Sequence, residues 1–142
     1  MEENNKFDLN EVKVYRTLEG TIFEMLTAIF IVVMYLTALT TRYFDFDNFQ
    51  GKHLATIVLS VISIVLLVVA YSPKNINIGG QPKNIRQVEI AIRTIRFIAV
   101  ELALFCLLMV AISPDNPIIH TAFGVTLVAT ALVSTIFIHR AK

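Results

Sequence analysis

Apolar positions along the chain gather into four long runs separated by short polar stretches. The first extends from Ile22 to Thr41 with Glu24 as its only charge, the second from Leu54 to Tyr71 with none, and the fourth from Ile118 to Ile138 with His120 near its start. The third is apolar from Phe97 to Ile112 apart from Glu101. About 20 mostly apolar residues, rising 1.5 Å each, cover the roughly 30 Å of hydrocarbon in a bilayer. The pattern therefore predicts an all-α fold, a transmembrane four-helix bundle forming one domain with spans at about 22–41, 54–71, 94–112 and 118–138.

The third helix is expected to begin well before its span. Asn84 has the chemistry of an N-cap, and Gln87 is placed to reciprocate in a capping box. Ile85, Val88, Ile92 and Ile95 then repeat at helical spacing, with Arg86, Glu89, Arg93 and Arg96 on the other side and Glu89 positioned to pair with Arg93 four residues on. This predicts a cytoplasmic extension of the third helix. Ser113 and Pro114 end it, while Asn116 and Pro117 supply the cap and first-turn proline of the fourth, so these two form a tight antiparallel hairpin. Ser72 and Pro73 end the second helix, and Asn75, Gly79, Gly80 and Pro82 predict an irregular connection. Residues 1–21 read as a cytoplasmic amphipathic segment: Asp8 or Asn10 could cap a short interfacial helix in which Val14, Leu18 and Ile22 recur every four residues.

Composition agrees with the pattern. Of 142 residues, 56% are hydrophobic and 16% charged, with a mean hydropathy of +0.69, more apolar surface than a water-soluble domain of this size can hide. A net charge of +1 leaves no footprint for nucleic acid. The lone Cys106 excludes an internal disulfide and a thiolate metal cluster. Charge distribution is more informative than its sum. Ten of the 12 Lys and Arg fall before the first run, between the second and third, or after the fourth, whereas only Arg42 and Lys52 lie on the opposite side. Because basic residues are retained in cytoplasmic loops, both termini are expected inside. The outer loop after the first helix carries Tyr43, Phe44, Phe46 and Phe49, suited to an aromatic belt at the interface.

Helices in lipid associate through close packing of small residues and through polar contacts. Ala122, Thr126, Thr130 and Ser134 recur every four residues on the fourth helix, near Gly124, and Ser60 and Ser63 lie on the second. Either set could pack within the chain or against a second copy. Glu24 and Glu101 are the carboxylates inside the spans, each costing on the order of 2.5 to 3.5 kcal/mol at mid-bilayer on insertion scales. They are the candidate intramembrane polar site, either as a proton or cation site between the first and third helices or as structural groups, with Glu101 neutral or bonded to a neighbouring helix. Lys83, Arg86, Arg93 and Arg96 form the largest basic cluster, a candidate contact for anionic lipid head groups or for a protein. His53 and His120 suit capping or interfacial roles. No nucleophile elbow, zinc-protease helix or phosphate-cradling glycine loop occurs, so catalysis and cofactors are not expected.

The stretch from Gly51 and Lys52 through Tyr71, Ser72, Pro73, Lys74 and Asn75 to Ile78, and then Gln87, Arg93 and Arg96, resembles small bacterial multi-pass membrane proteins distantly related to SdpI-type toxin immunity proteins. Those proteins carry Pro, His, Asn, Gly and Asp in the outer loop after the first helix; here Asn48 and Gly51 remain, without Pro or His before Gly51. The resemblance implies a bacterial cytoplasmic membrane and a protective or signalling role through partner binding. The expected function is thus non-enzymatic, immunity-like or accessory, with membrane lipids and either a protein partner or a homo-oligomer as partners. A small oligomeric transporter or channel using Glu101 is the competing expectation.

Overall fold

The computed structural model describes residues 12–76 and 82–141. Asp8, Asn10, Ile78, Gly79 and Gly80, invoked above, lie outside the described residues, as do Lys6 and Lys142 among the basic residues counted there. The described chain is all helical, with α1 at Leu18–Thr40, α2 at Gly51–Val69, α3 at Ile85–Ala111, α4 at Pro117–Arg140 and a 3-10 turn at Pro73–Asn75. Each of the four long helices is long and apolar enough to cross a membrane. Val32, Leu36, Val65, Val125 and Leu132 are among the many large apolar side chains left on the surface, an exterior suited to lipid and not to water.

Helix ends follow local chemistry. Thr17, in extended backbone, caps α1 by accepting from the Gly20 N–H at 3.0 Å. Residues 12–17 are not helical, which corrects the interfacial helix expected to run through Val14: the cap at Thr17 places the helix start at Leu18, and Val12 and Val14 ahead of it pack on the buried residues of α3. At its other end Arg42 adopts φ 50 and the Tyr43 N–H reaches back to the Ala38 carbonyl at 2.9 Å, a Schellman closure in which glycine is usual. Asn84 caps α3 as expected, accepting from the Gln87 N–H at 2.9 Å. The Gln87 side chain does not return to Asn84. Its Oε1 accepts from the Lys83 N–H at 2.7 Å, and its Nε2 donates to the Ile138 and Ala141 carbonyls at 3.1 and 3.0 Å. Asn84 Nδ2 also donates to Ala141, so the start of α3 closes the end of α4.

α3 is the hub. It packs along α1, α2 and α4, whereas α1 and α2 touch each other only lightly. Its small residues Ala91, Ala99, Ala103 and Cys106 are fully buried, allowing the neighbours to approach closely. On α2, Ser63 donates to the Ala99 carbonyl at 2.6 Å and Ser60 bonds the Tyr35 hydroxyl at 3.0 Å. On α4, only the lower part of the small-residue line faces inward: Ser134 accepts from Thr94 at 2.8 Å and Thr130 donates to Glu101 at 2.9 Å, while Ala122 and Thr126 are exposed.

The end of the bundle where α1 begins and α4 ends has its own core. Ala70, Ile76, Val88, Ala91, Ile92 and Ile95 are buried together, with Val12, Val14 and Ile138 packed on them. Thus the extension of α3 does not stand free, although Ile85 stays exposed. At the opposite end Tyr43, Phe44 and Phe49 pack around His53, ring centroids 5.0 to 6.3 Å away. Of the four loop aromatics, only Phe46 is widely exposed, at 84%.

Candidate functional site

Two inward-facing stripes meet at the end of the bundle where α1 begins. On α1, Gly20, Thr27, Ile31, Met34 and Ala38 are buried, and Glu24 lies on the same line, half-buried. On α3, Ile92, Arg96, Ala99 and Ala103 follow one another at helical spacing, all buried. Glu24 and Arg96 therefore point between helices. Their meeting point includes Tyr71, just past α2, whose hydroxyl donates to Glu24 Oε1. Arg16 donates to Glu24 Oε2 at 2.9 Å.

The Arg96 guanidinium lies over the Tyr71 ring, 5.1 Å from its centroid, with the backbone of Gly20 on another side. A Cβ at position 20 would come within 2.6 Å of Arg96 Nη1, so any larger residue there must displace the guanidinium. Arg96 is 3% exposed, and its Nε and Nη2 have no hydrogen-bond partner among the described residues. A buried guanidinium normally spends its donors on carboxylate, phosphate or carbonyl oxygens. Unspent, they carry a desolvation cost of about 1 to 3 kcal/mol or more.

The four basic candidates separate. Lys83 and Arg86 are exposed at the start of α3. Arg93 pairs across helices with Glu19 at 3.1 Å, both partly exposed, in place of the pairing expected within the helix with Glu89. Arg96 turns inward, correcting its expected place on the solvated face. The carboxylates also separate. Glu24 belongs to the Tyr71 and Arg16 cluster, whereas Glu101 takes a bond from Thr130 on α4 and leaves its Oε2 buried without a partner. Among the described residues no hydrogen-bond partner is common to the two carboxylates. Arg93 pairs with Glu19 and Arg96 lies over Tyr71, so neither bonds Glu101.

His53 and His120 are each tied to the chain. The Gln50 N–H donates to His53 Nδ1 at 3.2 Å, and His120 Nε2 bonds the Pro114 carbonyl at 2.7 Å. Gly20, Arg16 and Tyr71 were not singled out in the sequence as site residues. The inward turn of Arg96 does have a signal in register: it stands four residues after Ile92 and three before Ala99, on the apolar line itself.

Comparison of the chain with protein families, with curated proteins and with solved structures gives no match.

Proposed function

We propose that this is a non-enzymatic multi-pass protein of a bacterial cytoplasmic membrane, both termini inside, that acts by binding another protein in the plane of the membrane, in the manner of an immunity-like or accessory factor. The observation that carries the reading is the flank of α4 formed by Gly124, Val128, Ala131 and Thr135. These recur at the spacing of one helix face and are all exposed. Nothing lies within 4 Å of where a Gly124 Cβ would be, and only 6% of the most apolar stretch of α4 is buried, against 56% for α3. Small residues on one face admit a second helix at close range, and the chain's own helices leave this face uncovered. The ten-to-two partition of basic residues supports the sidedness, and the resemblance to SdpI-type proteins supports the protective role.

A photo-crosslinking amino acid at Val128 is expected to capture a distinct membrane protein in cells, while the same probe at Val61 on α2 captures none. Adducts only with a second copy would replace the partner by a homo-oligomer, and no adduct at Val128 would remove the reading. One observation favours the transporter alternative, the unpartnered Oε2 of Glu101 inside the bundle. Liposomes test it: proton or cation flux that falls in Glu101→Gln supports transport, and background flux in both proteins removes it.

A further inference from the structure

Two hollows meet at the Glu19 and Arg93 ion pair, which lines both. The first, about 270 Å³, lies between residues 12–17 and the first turns of α3, and offers the cations of Lys13, Arg93 and Arg96 with the hydroxyls of Tyr15 and Thr17. The second, about 460 Å³, runs between α1 and α4 over α3, walled by Phe23, Phe97, Ala129 and Val133. A basic, hydrogen-bonding compartment thus adjoins an apolar one. This is the order of groups in an amphiphile with an anionic head.

The buried guanidinium of Arg96 supplies an independent pointer. It lines the basic hollow and keeps two donors unspent, a demand that phosphate oxygens meet with the geometry guanidinium favours. We infer that the hollow takes the phosphate of an anionic phospholipid, held by Arg96 and Lys13, while one acyl chain lies in the groove between α1 and α4. Charge selects the head group. Lys13, Arg93 and Arg96 stand against Glu19 and Glu89 in the lining, an excess of a single positive charge that fits a singly charged head such as phosphatidylglycerol. The Glu19 and Arg93 pair forms the threshold between head and chain. The site is on the flank of α4 opposite Gly124 and stands independently of the protein partner proposed above.

The test uses the full chain in neutral detergent, with thermal unfolding and native mass spectrometry as readouts. The probes are palmitoyl lysophosphatidylglycerol, palmitoyl lysophosphatidylcholine and inorganic phosphate. Saturable stabilisation and one retained lipid are expected with the glycerol head, and neither with choline. Loss of one basic contact should weaken that binding about fivefold, the effect of about 1 kcal/mol per basic residue at an anionic head group. Lys13→Gln and Arg96→Gln test the head contacts, and Ala129→Phe, which fills the groove, should weaken lipid binding alone. Should Arg96→Gln fail to fold, the exposed Lys13 and Ala129 carry the test. Equal retention of both lipids, or binding unchanged in Lys13→Gln and Ala129→Phe, overturns the inference. Stabilisation by inorganic phosphate as large as that by lipid would show a free-anion site and overturn the lipid assignment.

Discussion

Gly20→Ala isolates the contact on which the buried arginine depends. The added methyl would sit 2.6 Å from Arg96 Nη1, 2.7 Å from Cζ and 2.9 Å from Nη2, where carbon contacts settle near 3.5 to 4.0 Å. The guanidinium must retreat by about 1 Å. The retreat pulls it from the Tyr71 ring, itself tied to Glu24, toward the hollow that Arg96 lines. Overpacking of this kind costs about 1 to 3 kcal/mol, and weakening a desolvated cation–π contact adds up to about 2. Alanine's better helix propensity returns at most about 1 kcal/mol. The net expectation is a loss of about 1 to 3 kcal/mol from these opposing terms. In an Arg96→Met background the clash is gone, so Gly20→Ala should become neutral or stabilising by up to about 1 kcal/mol. Reversible unfolding in mixed detergent micelles, followed by far-UV circular dichroism, gives all four corners of the cycle. A coupling of about 2 to 3 kcal/mol is expected for groups in contact. Equal effects of Gly20→Ala in both backgrounds would refute the packing argued here.

The same assay checks three further substitutions. Asn84→Ala should lose about 1 to 2 kcal/mol, since it removes a cap and the bond to Ala141 together; Asn84→Ser should recover the cap's share only. Thr130→Val should cost about 0.6 to 2 kcal/mol for an interhelical bond in lipid, and the double variant with Glu101→Met should be less destabilised than Thr130→Val alone because no carboxylate is left unpaired. Arg42→Gly should raise stability by about 0.5 to 1 kcal/mol, relieving a left-handed backbone in a residue with a Cβ. For sidedness, alkaline phosphatase fused after Lys142 should be inactive and a fusion within residues 43–50 active; the reverse pattern would invert the orientation.

The four helices were legible because hydrophobic runs, proline stops and Asn caps act locally: Asn84, Asn116 and Pro117 sit where they were expected. The start of α1 was not, because Val14, Leu18 and Ile22 repeat at helical spacing on both sides of the true cap, and only the Thr17 side chain decides between them. The site was legible in part. Glu24 and Glu101 stand out as charges within spans, but their partners are Tyr71, just past α2, and Thr130 on α4, and no spacing within one helix encodes which neighbour is reached. Charge alone groups Arg96 with Arg86 and Arg93 on the polar side of α3, whereas register does not. The line through Ile92, Ala99 and Ala103 already placed it inside.

The arrangement around α3 bears on how the protein is made. α1 and α2 have little to say to each other, so a ribosome that has delivered both has produced two hydrophobic rods, with Ser63 still without the Ala99 carbonyl it will bond on α3. Their shared neighbour ends at Ala111. At about 5 to 20 residues per second, the interval between the last residue of α1 and that point is on the order of ten seconds. During it the nascent chain depends on the insertion machinery for shelter, and a polypeptide cut short before α3 should be cleared by membrane proteases while one lacking only α4 survives longer.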